Sequence, residues 1–199
     1  LVMGIIRELV VTDGGSDDAS RRIAEAAGAE VLTGPPSRGG QLRRGVAAAQ
    51  GDWLLILHAD TQLARGWAEA VAAHLEQPSA GPAYFRLAFR AAGLRPALVA
   101  GWANLRASLF GLPYGDQGLL IRSETLMQVG NYPDIPLMED VDLVRRVGKR
   151  RLRPLSSHAY TSAIRYHDIG YYHRSSRNLL CLALYYLGVS PQVIKRIYG

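Results

Sequence analysis

The stretch LLILHADT, residues 54–61, decides how this chain is read. Leu54, Leu55, Ile56 and Leu57 form a short unbroken apolar run, the pattern of a strand covered on both faces. The run stops at His58, Ala59 and Asp60, so a carboxylate follows a buried strand. A charge in such a place is costly unless something there needs it.

Upstream, RELVVTD (7–13) is a β-branched run, DDASRRIAEAAG (17–28) has helical character with a glycine stop, and AEVLTG (29–34) reads as a second strand. The turn-rich GPPSRGG and an alanine-rich helix through QLRRGVAAAQG then lead to the strand DWLLIL. Strand, helix, strand, helix, strand predicts a mostly parallel sheet with helices on both faces, an α/β fold. Downstream, RGWAEAVAAHLEQ is a helix and AYFRLAF (83–89) a strand with one wetter face. LRPALVAGWANLRASLF is a long amphipathic helix, GLLI (118–121) a short strand, and SETLMQVG and MEDVDLVRRVG are helices. RNLLCLALYYLG and SPQVIKRIYG close the chain as two more. The opening LVMGIIREL reads as the end of a helix feeding a strand, so the sheet is expected to lack its first strand in this chain.

With 199 residues, 48% hydrophobic and 20% charged, the chain can bury one sizeable core, and no repeat or linker divides it. The single cysteine, Cys181, excludes an intrachain disulfide and a multi-cysteine metal site. The longest apolar run, NLLCLALYYLGV (178–189), falls short of the ~18 residues of a spanning helix, and no signal peptide is visible. A cytoplasmic protein, or one peripheral to the membrane, is therefore expected. A net charge of +6 and a pI near 9.7 suit anionic partners but equally a set of solvated arginines. Those arginines follow no recognition-helix pattern, which argues against nucleic acid.

In an open α/β sheet the ligand crevice lies beyond the carboxyl ends of the strands, so Asp13 and Asp60 are expected to project into it. In DGGSDDAS, Gly14 and Gly15 let a ligand approach the backbone, while Ser16 and Asp17 are N-cap candidates. Turn and cap chemistry alone is the competing reading of Asp13 and Ser16. G-x-G-x-x-G is absent, which argues against a nicotinamide or flavin site. Asp60 is a hard oxygen ligand suited to Mg²⁺ or Mn²⁺ held against phosphates. His58 beside it is either a second ligand or a hydrogen-bonding core residue. In PLMEDVDLVRRVG, helical spacing puts Asp140 on the face of Leu143, Val144 and Val147, and Glu139, Asp142 and Arg146 on another. Asp140 then points inward at a helix N-terminus, placed to accept a proton from a hydroxyl. A helix-start acid satisfying backbone donors is the alternative.

VTDGGSDDAS, LLILHADT, YGDQ and IPLMEDVDLVRR, in this order, make the chain resemble a family 2 glycosyltransferase of the GT-A (Rossmann-like) fold. It is most similar to the small bacterial group labelled as arsenosugar-biosynthesis glycosyltransferases. The resemblance implies one domain over 1–199, with a nucleotide-binding part (1–62), an acceptor and catalytic part (63–170) and C-terminal helices (171–199). It implies an inverting, metal-dependent transfer from a UDP- or GDP-sugar to an acceptor hydroxyl. Asp13 would bond the nucleobase, with Gly14, Gly15 and Ser16 shaping its pocket. Asp60, as the last acid of the family's D-x-D, would hold Mg²⁺ or Mn²⁺ on the diphosphate, and His58 stands where the first acid is usual. Asp140, the acid of the "ED" pair, would be the general base, with Glu139 among the substrate-binding candidates. Arg165, in the TSAIRY echo of Q-x-x-R-W, would neutralise diphosphate charge. Arg38, Gln41 and Arg44 are candidates for phosphate or donor sugar, and Asp116 and Gln117 of YGDQ for acceptor or sugar hydroxyls. By the same resemblance, the family's opening strand, with its P-x-x-N-E-like nucleotide contact, is expected to be missing from this stretch of chain. GKRRLR (148–153) reads as solvated surface or an anionic-lipid contact at the inner face of the membrane, and a homodimer is compatible with the rest.

Two other functions fit parts of this pattern. A nucleotidyltransferase would open with a glycine-rich phosphate loop and a nearby lysine, whereas the lysines here are Lys149 and Lys195. A non-catalytic nucleotide- or sugar-binding protein would follow from a sheet without its opening strand.

Overall fold

The computed structural model describes residues 4–91, 93–161 and 171–198, with backbone only for 171–174. The elements are β1 (Val10–Asp13), α1 (Ser20–Ala26), β2 (Glu30–Thr33), α2 (Arg38–Ala48), β3 (Trp53–Ile56), β4 (Gln62–Leu63), α3 (Trp67–Leu75), β5 (Ala83–Phe89) and α4 (Leu94–Phe110). They continue with β6 (Leu119–Arg122), α5 (Ser123–Gln128), α6 (Glu139–Val147), β7 (Arg153–Thr161), α7 (Tyr171–Tyr186) and α8 (Pro191–Tyr198). This is the expected α/β, GT-A-like class.

The strands form two sheets. β1 and β2 pair in parallel, Val10 opposite Glu30 and Asp13 opposite Thr33. The larger sheet has the order β3-β6-β5-β7-β4, in which β5 and β7 run parallel and the other neighbours antiparallel. β3 thus joins the fold through β6, with Leu54 opposite Ile121, and hydrophobic runs alone carry no sign of that direction. Residues 6–9 are irregular and β1 begins only at Val10.

β5 is wetter along one side, as expected: the alternate residues Arg86 and Ala88 are exposed and half-buried, while Ala83, Phe85, Leu87 and Phe89 are buried. It lies between β6 and β7, and a register shift between Tyr84 and Arg86 turns Ala83 and Phe85 toward α3 but Leu87 and Phe89 toward α4. β7 is a strand that hydrophobic alternation does not reveal. Its inward residues are Leu155, Ser157, Ala159 and Thr161, which contrast little with the outward ones.

α4 is fastened to β5 by small residues. Ala103 and Ala107 are buried, and Asn104 imitates a strand neighbour: its Oδ1 accepts from the Leu87 N–H (2.7 Å) while its Nδ2 donates to the Leu87 carbonyl (3.0 Å). The main core gathers Leu54, Tyr84, Ile121, Leu126 and the apolar side of α6. Among the described residues no helix is long and apolar enough to cross a membrane.

Candidate active site

Past the end of β3, seven segments enclose a cavity of about 130 Å³. His58 and Asp60 come from the loop after β3, Tyr114, Gly115 and Asp116 from the turn before β6, and Glu139 and Asp140 from the head of α6. Arg38 of α2, Thr161 at the end of β7, Asn178 of α7 and Tyr198 of α8 complete the polar wall.

The head of α6 is set by its entry. Met138 takes a left-handed conformation, φ 69° and ψ 15°, which is uncommon outside glycine and turns the chain sharply into the helix. Asp140 is then held from two sides: the Gly115 N–H donates to its Oδ2 and the Val141 N–H to its Oδ1, each at 2.7 Å. Gly115 is required for this approach. A Cβ there would lie 2.2 Å from Nε2 of His58, so the imidazole packs directly on the backbone that orients Asp140.

Glu139 departs from the expected helical faces. Asp142 and Arg146 do share the outer face, with Arg146 Nη2 2.5 Å from Asp142 Oδ2, but Glu139 is fully buried. At the first position of α6 its side chain sits at the edge of the apolar arc and runs toward α2. There the Arg38 Nε donates to its Oε1 at 2.9 Å, and its Oε2 has no partner. α2 can approach because Gly39 lacks a side chain: a Cβ would fall 1.9 Å from the Pro133 carbonyl oxygen. Ser37 caps α2 by accepting from the Gly40 N–H (3.2 Å) and donates to Asp134 Oδ1 (2.5 Å), tying the helix start to the same loop.

Burial sets the electrostatics. It lifts the Glu139 carboxyl to about 7, helped by Asp140 and opposed by Arg38. It lifts Asp116 to about 6, opposed by the Arg106 guanidinium, and Asp116 Oδ1 is buried without a partner. Burial also pushes Tyr114 up to about 12, although Arg106 stacks 3.4 Å over its ring. His58 is pushed down from the ordinary histidine value, by burial first and by Arg38 next.

The other candidates lie outside the cavity wall. Asp13 is 7% exposed and engaged in its own turn, accepting from the Gly15 N–H (2.9 Å), the Ser16 N–H (3.0 Å) and the Ser16 hydroxyl (2.5 Å). The Ser16 hydroxyl is the main cause holding its carboxyl below the usual range. Gly14 lies against Gln41 and Pro36, and Gln41 donates to the Thr12 carbonyl at 3.2 Å. Arg44 folds back on the Pro35 carbonyl at 3.2 Å. Gln117 is fully buried and donates to the Phe85 carbonyl at 3.2 Å. Arg165 lies outside the described residues. Tyr114, Thr161, Asn178 and Tyr198 are cavity residues that sequence reasoning missed; Tyr114, beside GDQ, and Thr161, which opens TSAIRY, carried a signal, and the other two carried none.

Among the described residues no three His, Cys, Asp or Glu side chains converge as a closed metal site. A cation bridged to a diphosphate needs only one or two protein carboxylates. Asp60, exposed on the cavity wall, and the partnerless oxygen of Asp116 fit that need, with His58 adjacent.

The family profile described as Glycosyl transferase family 2 matches residues 5–109, just over half of the chain. The chain belongs to that family. Among curated proteins, this glycosyltransferase-family chain is 38% identical over 78 residues to a TPR repeat-containing protein of Synechococcus elongatus, 38% of this chain and 19% of that protein. Among solved structures it is similar to Mycobacterium tuberculosis glucosyl-3-phosphoglycerate synthase in complex with Mn²⁺, uridine diphosphate and glucosyl-3-phosphoglycerate. That match has a TM-score of 0.52 and 22% identity, over 81% of this chain and 61% of the other. S. aureus TarS matches with a TM-score of 0.59 and 15% identity, over 96% of this chain and 60% of the other. The chain thus spans 19% of the curated relative and about three fifths of these solved chains.

Proposed function

We propose that this domain transfers a sugar from a nucleotide-sugar to an acceptor hydroxyl, with inversion and with Asp140 as the general base. The observation that carries the reading is the placement of Asp140 on the cavity wall with its two oxygens held by the Gly115 and Val141 N–H groups. Each carboxylate oxygen has two acceptor sites, so one remains on each for a hydroxyl. The acceptor oxygen attacks the anomeric carbon as its proton passes to Asp140. The bond from that carbon to the diphosphate breaks on the opposite side, so a single displacement inverts the centre.

Asp60, with His58 or Asp116 adjacent, would hold Mg²⁺ or Mn²⁺, which when bound neutralises charge on the departing diphosphate. Arg38 spends its Nε on Glu139 and keeps its terminal nitrogens for phosphate oxygens. The turn Asp13–Ser16 forms the nucleobase end, with Gln41 buttressing Gly14, whereas Arg44 and Gln117 hold the scaffold. A UDP-sugar donor and Mn²⁺ are supported by the M. tuberculosis synthase, solved with Mn²⁺ and UDP-glucose, and by TarS, solved with UDP-GlcNAc. The motif order supports kinship with the arsenosugar-biosynthesis group, and the lone Cys181 supports a cytoplasmic setting.

Asp140→Asn tests the base. It keeps the size and one of the two backbone hydrogen bonds, because an amide nitrogen cannot accept from the second N–H, and it cannot take the proton, so turnover should fall by the ~10²–10⁴ typical of such a loss while donor affinity holds. A lowered melting temperature with normal turnover per folded molecule would return Asp140 to a purely structural role.

A further inference from the structure

We infer that α4 is a membrane-contact helix that lies on an anionic lipid surface. Leu94, Leu98, Trp102, Leu105 and Leu109 fall within about 80° of one another around the helix. All are 46 to 74% exposed. The helix is inverted relative to an ordinary surface helix, since Ala103 and Ala107 face the sheet while the large apolar side chains face outward. An apolar stripe of this size on a folded chain marks an interaction surface.

Charge selects the partner. α4 contains no acidic residue, and Arg95 is exposed at its start. At its other end Gly111, with φ 64°, lies so close to Lys149 that a Cβ there would be 2.6 Å from the Lys149 Cα. The exposed tract Lys149, Arg150 and Arg151 therefore stands beside the end of the stripe. An apolar face with basic ends and a central tryptophan matches the lipid interface, where tails take the stripe and anionic headgroups the cations. A second copy is the poorer occupant, because two-fold pairing of this face would bring basic ends against basic ends in either orientation.

The test is co-sedimentation of the full chain with vesicles at low salt. The wild-type chain should bind vesicles containing phosphatidylglycerol far better than pure phosphatidylcholine, with Trp102 emission shifted to the blue relative to a Trp102→Phe control. Leu98→Asp/Leu105→Asp should abolish binding. Lys149→Ala/Arg150→Ala/Arg151→Ala should weaken it about a hundredfold, from roughly fivefold per cation. Circular dichroism checks that both variants fold, and the emission shift of the wild-type chain answers the question if either does not. No binding to anionic vesicles, or no Trp102 shift on binding, overturns the proposal. So does binding unchanged in the folded stripe variant, or a wild-type dimer that the stripe variant abolishes without any vesicle binding.

Discussion

Replacing Glu139 by glutamine isolates the charge at the heart of the site. Glu139 is fully buried, and its surroundings lift its carboxyl from 4.5 to about 7. Between those values the folded chain keeps a proton that the unfolded chain has released. Its contribution to stability is therefore complete at the acid end and is lost as pH rises through 7. Over pH 6 to 8 the loss integrates to roughly 1–2 kcal/mol, at about 1.4 kcal/mol per unit of pKa difference. Glutamine keeps the volume and an oxygen for the Arg38 Nε but does not titrate. His58, pushed downward, acts with the opposite sign, yet it is common to both chains and cancels in the difference. Urea unfolding at pH 6, 7 and 8 should thus show glutamine more favourable relative to wild type at pH 8 than at pH 6, by that amount. Parallel stability curves for the two chains would refute the raised carboxyl and leave Glu139 an ordinary ion-pair partner of Arg38.

Two further substitutions probe the neighbouring groups. Asp60→Asn should leave stability within about 0.5 kcal/mol, as for an exposed side chain, while weakening Mn²⁺-dependent binding of UDP. Nucleotide binding that is equal in both proteins, with and without chelator, would remove the metal role. Gly115→Ala places a methyl group 2.2 Å from His58 Nε2, so the ring must swing out. The expected cost is about 1–3 kcal/mol, and the His58 titration, followed by NMR, should rise toward the ordinary histidine value as burial is lost. An unshifted titration would show that the ring never lay against the turn.

The elements most legible in the sequence were those whose signals are local. β5 and α4 occupy Ala83–Phe89 and Leu94–Phe110, the segments that alternation and helical periodicity marked out. β7 escaped because Ser157 and Thr161 point inward, so the core face of that strand is partly polar. The site was legible as motifs and illegible as contacts. Nothing along the chain links Arg38 to Glu139, 101 positions apart, and helical spacing alone grouped Glu139 with Asp142 and Arg146, away from the apolar face. Its burial comes from α2, brought in by Gly39, an effect no period within α6 contains.

Asp13 and Asp140 show why an acid at the end of an element has no role fixed by position. Among the described residues every hydrogen-bond donor to Asp13 lies within three residues of it, and its ion-pair partner Arg21, 3.9 Å away, is only eight along, so its carboxylate serves its own turn. Asp140 takes one local donor, and its second arrives from Gly115, 25 residues away. That second bond fixes the carboxylate relative to a different element rather than to its own backbone. Because Gly115 also carries the His58 ring on its bare Cα, one backbone position sets both Asp140, the proposed base, and the histidine beside the metal-binding candidate Asp60. Moving the Gly115 turn would therefore shift the Asp140 carboxylate and the His58 ring together.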